Sequence, residues 1–258
     1  MGLIRNLADD ETGVSSLYKD QTVADSYIKK RFTYSWQLLL HQAQVLEINT
    51  VIRRIQPQSI LEIAPGPARL TVDLEGVKQG VMLEYSKEML KVARKRLTEK
   101  GLDRAWELVH GNAFELSKLP GCFDFVYTFR FIRHFRWHDR SRLYGGISER
   151  LKKGGLLMFD VVNSCTRDKL DEKTTPPRED ALPVYDVTYT ERGFRAEMDR
   201  YGFTVISMVP VLKHFKLQSR FSSKLDDVFP NLSAYLVHIF EKVPAIHPLE
   251  WIALCKKN

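Results

Sequence analysis

The chain of 258 residues is poor in cysteine and has no long apolar run. Cys122, Cys165 and Cys255 stand far apart, so they form neither a disulfide framework nor a CxxC metal pair, which fits a reducing compartment. No segment approaches the roughly 18 apolar residues of a membrane span. The N-terminal residues have no apolar stretch of secretory length. We therefore expect a cytoplasmic protein without a membrane partner.

Two phosphate-binding patterns and a long cationic tract are also missing. The sequence contains neither GxGxxG, which a dinucleotide site needs, nor the GxxxxGK[ST] loop of nucleoside triphosphatases. The net charge is +7, but lysine and arginine are spread along the whole chain. A basic chain can meet nucleic acid, yet dispersed charge more often serves solubility. A nucleic-acid partner is therefore an alternative that we do not favour.

Short apolar runs alternate with amphipathic helical patterns over the middle of the chain. The predicted strands are residues 59–63, 80–83, 106–109, 123–128, 156–162, 203–211 and 251–255. Residues 67–77 are predicted as a weak helix, and Ser86 as the cap of a stronger one. A helix with Leu143 and Ile147 on one face is expected to end at Gly154. The alternation indicates a doubly wound, mainly parallel sheet, and the last two strands suit an antiparallel edge.

Helical patterns also occupy the N-terminal part of the chain. One helix is predicted near residues 19–32, and a second begins near Ser35, a candidate N-cap, and ends at Pro57. We predict that residues 1–56 form a helical cap. Residues 57–258 then form the main domain, with insertions near 164–189 and 213–240 and a helix around 232–240.

The first strand leads into a turn with a single glycine, in the run LEIAPGPARL. Gly66 lets the backbone approach a ligand where a Cβ would block it, and the prolines beside it stiffen the turn. Glu84 ends the second strand, 22 residues after Glu62, where a carboxylate can accept both ribose hydroxyl protons. The alternative is that Glu84 only decorates a loop. Because only a pyrophosphate requires the missing glycines, the turn fits a nucleotide without phosphates, with Glu62 facing its cationic end.

Aromatic and basic residues follow the fourth strand, in the run TFRFIRHFRWH. This run starts at the carboxyl end of a central strand, where open α/β sheets bind ligands. Phe129 and Arg130 are placed to contact a cofactor, and Arg133 to bind an acidic group of an acceptor. His134 is the candidate general base, since imidazole titrates near neutral pH, although a structural hydrogen-bonding role is the commoner one.

No metal site is predicted. His134 and His138 stand four residues apart, but Phe135 occupies the position at which a zinc protease needs glutamate. Asp160 and Asn163 end the fifth strand without a cluster of further oxygen ligands.

Five runs carry a resemblance to a known family: EIAPGPARL, LEYSKEMLKVA, GNA, FDFVYTFR and LKKGGLLMFD. Their order and spacing over residues 59–160 resemble the class I S-adenosylmethionine-dependent methyltransferases. The resemblance implies a Rossmann-like seven-stranded sheet with an antiparallel edge strand and S-adenosyl-L-methionine as cofactor. The chain departs from the family at Ala64 and Pro65, where glycine or cysteine is frequent, near Pro67 or Ala68, where a second glycine is frequent, and at Asn112, where aspartate is common.

The resemblance also implies roles for single residues. Glu62, Ala64 and Gly66 would line the methionine end of the cofactor, and Glu84 would hold its ribose. Asn112 and Ala113 would contact adenine, a simple Gly-Asn turn being the alternative. The predicted cofactor set is completed by Tyr18, Arg31, Tyr85, Met89, Phe129 and Arg130, and the predicted catalytic set is His134, Arg133 and Tyr27. Arg31 would bind the cofactor carboxylate, unless residues 29–31 form a solvated basic face.

These observations leave several functions open. We favour methyl transfer to nitrogen, oxygen or carbon of a small-molecule acceptor, with release of S-adenosylhomocysteine. The alternatives are methylation of RNA, a peptide or a protein, and a non-catalytic module that binds the cofactor. The chain has no NPPY-like tetrapeptide after the fourth strand, where enzymes that methylate base amines commonly carry one. A nicotinamide dehydrogenase is disfavoured by the missing glycines.

Overall fold

A computed structural model describes residues 5–7, 32–171 and 186–258, in which strands and helices alternate. The strands are β1 (Arg5–Leu7), β2 (Ile60–Ile63), β3 (Gly80–Glu84), β4 (Trp106–Gly111), β5 (Phe123–Thr128), β6 (Leu151–Asn163), β7 (Thr188–Tyr189), β8 (Phe203–Val211) and β9 (Glu250–Lys257). The α-helices are α1 (Ser35–Ile55), α2 (Lys87–Glu99), α3 (Trp137–Arg150), α4 (Ser164–Asp171), α5 (Glu191–Arg200), α6 (Phe215–Leu225) and α7 (Pro230–Lys242). Short 3-10 turns cover Thr71–Asp73, Ala113–Lys118 and Ile132–His134. The helix predicted near residues 19–32 lies outside the described residues.

The strands of the described residues form one mixed sheet in the order β1-β4-β3-β2-β5-β6-β9-β8, with β7 paired to β6. β1 to β7 all run parallel to one another, whereas β9 is antiparallel to both of its neighbours, β6 and β8. All seven predicted strands are present, and β1 and β7 are short additions to them. The predicted α/β class, the mainly parallel sheet and the antiparallel edge are confirmed.

Helices cover both faces of the sheet. One core layer joins α1 and α2 to the sheet through residues such as Ile48, Leu90 and Phe125. The other joins α3 and α5 through residues such as Ile147, Phe194 and Val126. Phe125 and Val126 are consecutive yet belong to opposite layers, because side chains alternate across a strand. Parallel strands buried on both faces explain why the sequence showed continuous apolar runs.

The first crossover differs from its prediction. Residues 67–77 form a turn and the short 3-10 segment Thr71–Asp73 instead of an α-helix. Ala68 and Gly76 have φ angles of 57° and 71°, in the left-handed region that a right-handed helix excludes. Leu70, Val72 and Leu74 are all buried, so this segment fills the core as an irregular loop.

Two helix boundaries also depart from the sequence prediction, and a third agrees with it. Tyr34 is the cap residue of α1. Ser35 is the first helical residue, and both its backbone nitrogen and its hydroxyl donate to the Asp226 carboxylate. α3 ends at Arg150, before Gly154, because β6 already begins at Leu151. The predicted cap Ser86 is confirmed, since its hydroxyl accepts a hydrogen bond from Met89 N at 3.2 Å.

The insertion between β8 and β9 is a pair of helices, α6 and α7, which packs against α1. The contact includes a perpendicular pair of the Trp36 and Phe215 rings, 5.2 Å apart. Within the described ranges, no helix has both the length and the apolar character that crossing a membrane would require. A boundary between cap and main domain near residue 57 and a cytoplasmic location stay predictions.

Candidate active site

The turn after β2 has left-handed backbone at three alternate positions. The φ angles are 53° at Ala64, 57° at Gly66 and 57° at Ala68. Glycine adopts such angles freely, whereas an alanine there costs about 1–2 kcal/mol. The bend predicted around Gly66 is therefore present, and two alanines hold a backbone conformation that favours glycine.

Glu84 and Gly66, on which the predicted nucleotide slot depends, lie side by side. Glu84 Oε2 accepts a hydrogen bond from Gly66 N at 2.9 Å, and Oε1 accepts one from Ser86 N at 2.8 Å. Burial raises the pKa of the Glu84 carboxyl, while these backbone hydrogen bonds oppose the rise. A Cβ built on Gly66 meets no atom of the described residues within 4 Å, so the backbone there borders space that those residues leave open. The carboxylate clamps the turn, and Tyr85 N adds a third backbone hydrogen bond to it.

Glu62 is a buried carboxyl one strand away from Glu84. The hydroxyls of Thr71 and Tyr127 both donate to its Oε2, the latter at 2.9 Å. Burial raises the pKa of Glu62 to about 7, although these two hydrogen bonds and the charge of Arg69 act in the opposite direction. The carboxyl therefore changes charge near neutral pH, and a cationic ligand beside it would favour the ionised form. Its contact with the methionine end of a cofactor stays a prediction.

The predicted adenine contacts lie near the carboxyl ends of β3 and β4, at the same edge as Glu84. Asn112 caps the following 3-10 turn, because its Oδ1 accepts a hydrogen bond from Phe114 N at 3.0 Å. This is the turn-forming role that the sequence offered as the alternative to adenine binding. His110 Nε2 lies 2.8 Å from Tyr85 O and fixes the end of β3. Met89 is only 2% exposed, and the adenine roles of Tyr85, Met89, Asn112 and Ala113 stay predictions.

The loop after β5 begins at the same edge and is tied to both neighbouring strands. The Thr128 hydroxyl donates to Ile63 O at 2.7 Å. Arg130 has a φ of 59°, and its backbone nitrogen donates to Asp160 Oδ1 on β6 at 2.7 Å. Phe129 between them is nearly buried. The loop is thus held rigidly where the sequence predicted cofactor contacts for Phe129 and Arg130.

Arg133 lies in a buried cluster of carboxylates. Its Nη1 contacts Asp160 Oδ2 at 2.9 Å and Glu250 Oε2 at 3.0 Å, and its Nε lies 3.1 Å from Asp186 Oδ1. Burial alone would lower the pKa of Arg133, but the three negative charges raise it above its ordinary value. The prediction that Arg133 binds an acidic group of the acceptor is corrected, because carboxylates of the protein itself engage its guanidinium.

His134 and Asp186 form a pair beside this cluster. His134 Nδ1 lies 3.0 Å from Asp186 Oδ1, and both side chains are largely buried. Burial alone would raise the pKa of Asp186, but contact with His134 and the charge of Arg133 lower it below its ordinary value. Asp186 is therefore a stable carboxylate that orients the imidazole.

Three predicted groups, Tyr18, Tyr27 and Arg31, lie outside the described residues. Among residues 32–171 and 186–258, no group of three or more histidine, cysteine, aspartate or glutamate side chains is arranged to hold a metal ion.

The sequence did not single out three residues that complete the site: Thr71, Tyr127 and Asp186. Tyr127 stands opposite Glu62 in the register of β5 against β2. Its place in the fourth apolar run could have indicated this pairing, since neighbouring parallel strands meet at one edge. Asp186 follows a long polar segment in which no periodicity marks a site.

The sequence matches a protein-family model described as a methyltransferase domain over residues 60–155. No curated protein sequence matches the chain. The matched segment runs from β2 into β6 and contains the glycine turn, Glu84, Asn112 and the whole loop that carries His134.

Solved structures of similar fold cover nearly the whole chain. An S-adenosylmethionine-dependent methyltransferase from Clostridium acetobutylicum is 14% identical, with a TM-score of 0.58 over 92% of this chain and 97% of its own. The magnesium protoporphyrin IX methyltransferase of Synechocystis, solved with bound S-adenosylhomocysteine, is 10% identical, with a TM-score of 0.60 over 94% and 99%. At such identities the structures establish the fold alone. The segment 60–155 is thus similar to a methyltransferase domain, and the fold of the chain is similar to that of S-adenosylmethionine-dependent methyltransferases of known structure.

Proposed function

We propose that the protein transfers a methyl group from S-adenosyl-L-methionine to nitrogen, oxygen or carbon of a small-molecule acceptor, releasing S-adenosylhomocysteine. The observation that carries the proposal is the contact of Gly66 N with Glu84 Oε2 at 2.9 Å. It joins a bare backbone bend to a carboxylate at the carboxyl edge of the central strands. Open α/β sheets bind ligands at that edge.

The residues present fit an adenosine cofactor without phosphates. Glu84 can still accept a hydrogen bond from a ribose hydroxyl, and among the described residues no side chain would meet a ligand placed beside Gly66. Glu62 can become negative beside a positive ligand end. The cofactor supplies an activated methyl group on a sulfonium, while Glu84, Gly66 and Glu62 would hold it and exclude water.

His134 would remove a proton from acceptors that must lose one. Contact of His134 Nδ1 with Asp186 at 3.0 Å favours the tautomer with its proton on Nδ1. The lone pair then lies on Nε2, which is the atom that takes the proton. Asp186 acts through His134 and is therefore a positioning residue.

Calorimetry with S-adenosylmethionine, S-adenosylhomocysteine and NAD tests the cofactor assignment. Wild type should bind the first two ligands and not NAD. Glu84→Gln should weaken binding about ten- to a hundredfold, because hydrogen bonds to a charged acceptor are lost. Glu88→Gln is the matched control, since Glu88 lies on α2 and pairs with Lys91, and its affinity should equal that of wild type. Tight NAD binding without S-adenosylmethionine binding would refute the proposal.

The net charge of +7 keeps a macromolecular acceptor as the second candidate. A protein that methylates RNA should bind tRNA with an affinity that falls steeply as salt rises. A small-molecule enzyme should show no such binding and should release S-adenosylhomocysteine when supplied with its acceptor. Parallel screens of small metabolites and of tRNA decide between the two.

A further inference from the structure

Exposed apolar side chains are concentrated on one part of the surface. Of the thirteen large apolar side chains that the described residues expose, eleven lie on α1, α6, α7 or the residues beside these helices. A contiguous exposed apolar surface marks an interaction site, whereas single exposed apolar residues need no explanation. Six of the eleven belong to α1 and to α7 with its cap residue: Leu38, Leu46, Phe229, Leu232, Tyr235 and Ile239. We call the surface that they form the α1–α7 face.

The α1–α7 face is continuous because the two helices lie side by side. Ser35 at the start of α1 contacts Asp226, four residues before α7 begins. Further along α1, Gln42 Oε1 lies 3.1 Å from His238 Nε2 in the middle of α7, so both helices run in the same direction. The leucines of α1 in the face stand one turn to either side of Gln42, and the tyrosine and isoleucine of α7 stand close to His238.

The sequence of the α1–α7 face contains no charged residue. Residues 32–46 and 228–240 hold no aspartate, glutamate, lysine or arginine, although 28% of the chain is charged. Few charges together with exposed aromatic side chains are typical of the core of a protein–protein interface. Nucleic acid and anionic membranes select lysine and arginine instead. The α1–α7 face therefore fits a protein partner.

Charges of opposite sign lie at the two ends of the α1–α7 face. Asp227 is exposed at the end where both helices begin, and Arg53 and Lys242 are exposed towards the end of each helix. Arg53 stands seven residues after Leu46, hence on the same side of α1. A second copy related by a two-fold axis through the middle of the face would place the aspartate end of one copy against the basic end of the other. The face is thus complementary to itself, which a two-fold interface requires.

The area of the α1–α7 face also matches a second copy. Each of its six apolar side chains is between 37% and 63% exposed, and together they expose on the order of 500 Å² of apolar surface. A standard interface buries about 800 Å² on each partner, and about 65% of a homodimer interface is apolar, which gives roughly 500 Å². We propose that the α1–α7 face binds a second copy of the chain around a two-fold axis. This association is independent of the proposed methyl transfer.

Sedimentation equilibrium and light scattering on the full chain measure the association. Wild type should have about twice the chain mass of 29.9 kDa, because an interface of this size associates at micromolar concentration or below. Tyr235→Glu and Leu46→Glu each place a charge on the face and should weaken the dimer at least about hundredfold. Ile206→Glu is the matched control, since Ile206 is an exposed apolar residue of β8, outside the face, and its dimer should be as tight as that of wild type. Circular dichroism checks that each variant is folded.

Exchanging the charges at the two ends tests the two-fold arrangement with exposed residues whose replacement leaves the core intact. Asp227→Lys and Arg53→Glu should each weaken the dimer about threefold or more, because like charges then meet at both ends of the interface. The double variant should recover most of this loss. Within one chain the two residues lie at opposite ends of the face, so recovery requires a second copy.

Three results overturn the proposal. One is that wild type is monomeric at about 100 μM. Another is that Tyr235→Glu and Leu46→Glu form dimers as tight as that of Ile206→Glu, and the third is that the double charge variant recovers nothing.

Two further measurements identify a different occupant if wild type is monomeric. If Tyr235→Glu lowers the free energy of unfolding and Ile206→Glu does not, another part of the same chain covers the face. If wild type floats with vesicles of anionic lipid and Tyr235→Glu does not, the partner is a membrane. Either result overturns the proposal of a second copy.

Discussion

Replacing Glu62 by glutamine should make the cofactor-free protein more stable at alkaline pH. Burial raises the pKa of Glu62 from its ordinary 4.5 to about 7, so between these pH values the native carboxyl holds a proton that the unfolded one has lost. Wild-type stability therefore falls as pH rises through this window and levels off above it. The pKa difference between the native and the unfolded carboxyl corresponds to a loss of roughly 3 kcal/mol in the free energy of unfolding. Glutamine keeps an oxygen for Thr71 and Tyr127 and cannot ionise.

The expected difference in stability between Glu62→Gln and wild type follows from two opposed effects. At pH 8 the variant avoids a buried charge worth roughly 3 kcal/mol, but its new amide N–H group costs about 1–2 kcal/mol if it finds no acceptor. Glu62→Gln should thus be about 1–2 kcal/mol more stable than wild type at pH 8. At pH 5 the wild-type carboxyl is protonated and most of the charge effect is gone, so the cost of the amide remains and the variant should be equal to wild type or less stable by up to about 1 kcal/mol.

Urea unfolding of ligand-free wild type and Glu62→Gln at pH 5, 6, 7 and 8 measures this effect. Other groups titrate in the same range, but they are common to both proteins, so the difference between the two curves isolates Glu62. Parallel curves between pH 5 and 8 would refute a raised pKa at this position. A variant that is less stable at every pH, by a constant amount, would show that the hydrogen bonds to Oε2 need a carboxyl and not an amide.

Two further predictions concern the loop after β5. Asp186→Asn should lower turnover about ten- to a hundredfold for an acceptor that must be deprotonated, and should leave the affinity for S-adenosylhomocysteine unchanged. His134→Ala should lower turnover at least as much, and the double variant should lower it no further. Steady-state kinetics measures this, and additive losses in the double variant would show that the two residues act independently. Arg133→Met should lower the free energy of unfolding by about 3–5 kcal/mol, because it leaves buried carboxylates unpaired. Urea unfolding checks it, and a loss below about 1 kcal/mol, as for an exposed ion pair, contradicts it.

The sheet was predictable because its strands are buried on both faces. Such strands read as apolar runs whose length and spacing are visible without knowledge of their neighbours. The sequence did not predict α6, because its buried positions include polar residues whose hydrogen-bond partners come from other parts of the chain. Gln218 Nε2 donates to Glu241 Oε2 at 2.8 Å, and the Ser222 hydroxyl accepts from Trp36 N at 3.3 Å. A buried polar face shows no apolar periodicity, so only the partners in space explain it.

The candidate site likewise has a part that the sequence could predict and a part that it could not. Glu84 and Gly66 were predictable because each is positioned by the strand that precedes it, and adjacent parallel strands end at one edge. The role of Arg133 was not predictable, because its partners Asp186 and Glu250 come from segments distant in sequence. A run of arginine and aromatic residues looks alike whether its charges face a ligand or are neutralised inside the protein. Only the register of β6 against β9 brings Glu250 beside Asp160.

Alanine at two left-handed positions leads to a last prediction, in which one substitution has different outcomes at three sites. At Ala64, φ is 53° and the side chain is only partly buried. Glycine there removes a backbone penalty of about 1–2 kcal/mol and adds about 0.5–1 kcal/mol of unfolded-state entropy, so Ala64→Gly should stabilise by about 0.5–1 kcal/mol. Ala68 is fully buried, with φ 57°. Its methyl group contributes about 0.8 kcal/mol through burial. Because the loss of this burial offsets the gain from the relieved backbone penalty, Ala68→Gly should leave the stability nearly unchanged.

The control is Ala43→Gly inside α1, where φ is helical and glycine should cost about 1 kcal/mol. Urea unfolding of the three variants should rank them Ala64→Gly, Ala68→Gly and Ala43→Gly from most to least stable. If Ala64→Gly lost as much stability as Ala43→Gly, the turn would not be left-handed at that position. The chain would then bind its ligand through a different backbone from the one that brings Gly66 to Glu84.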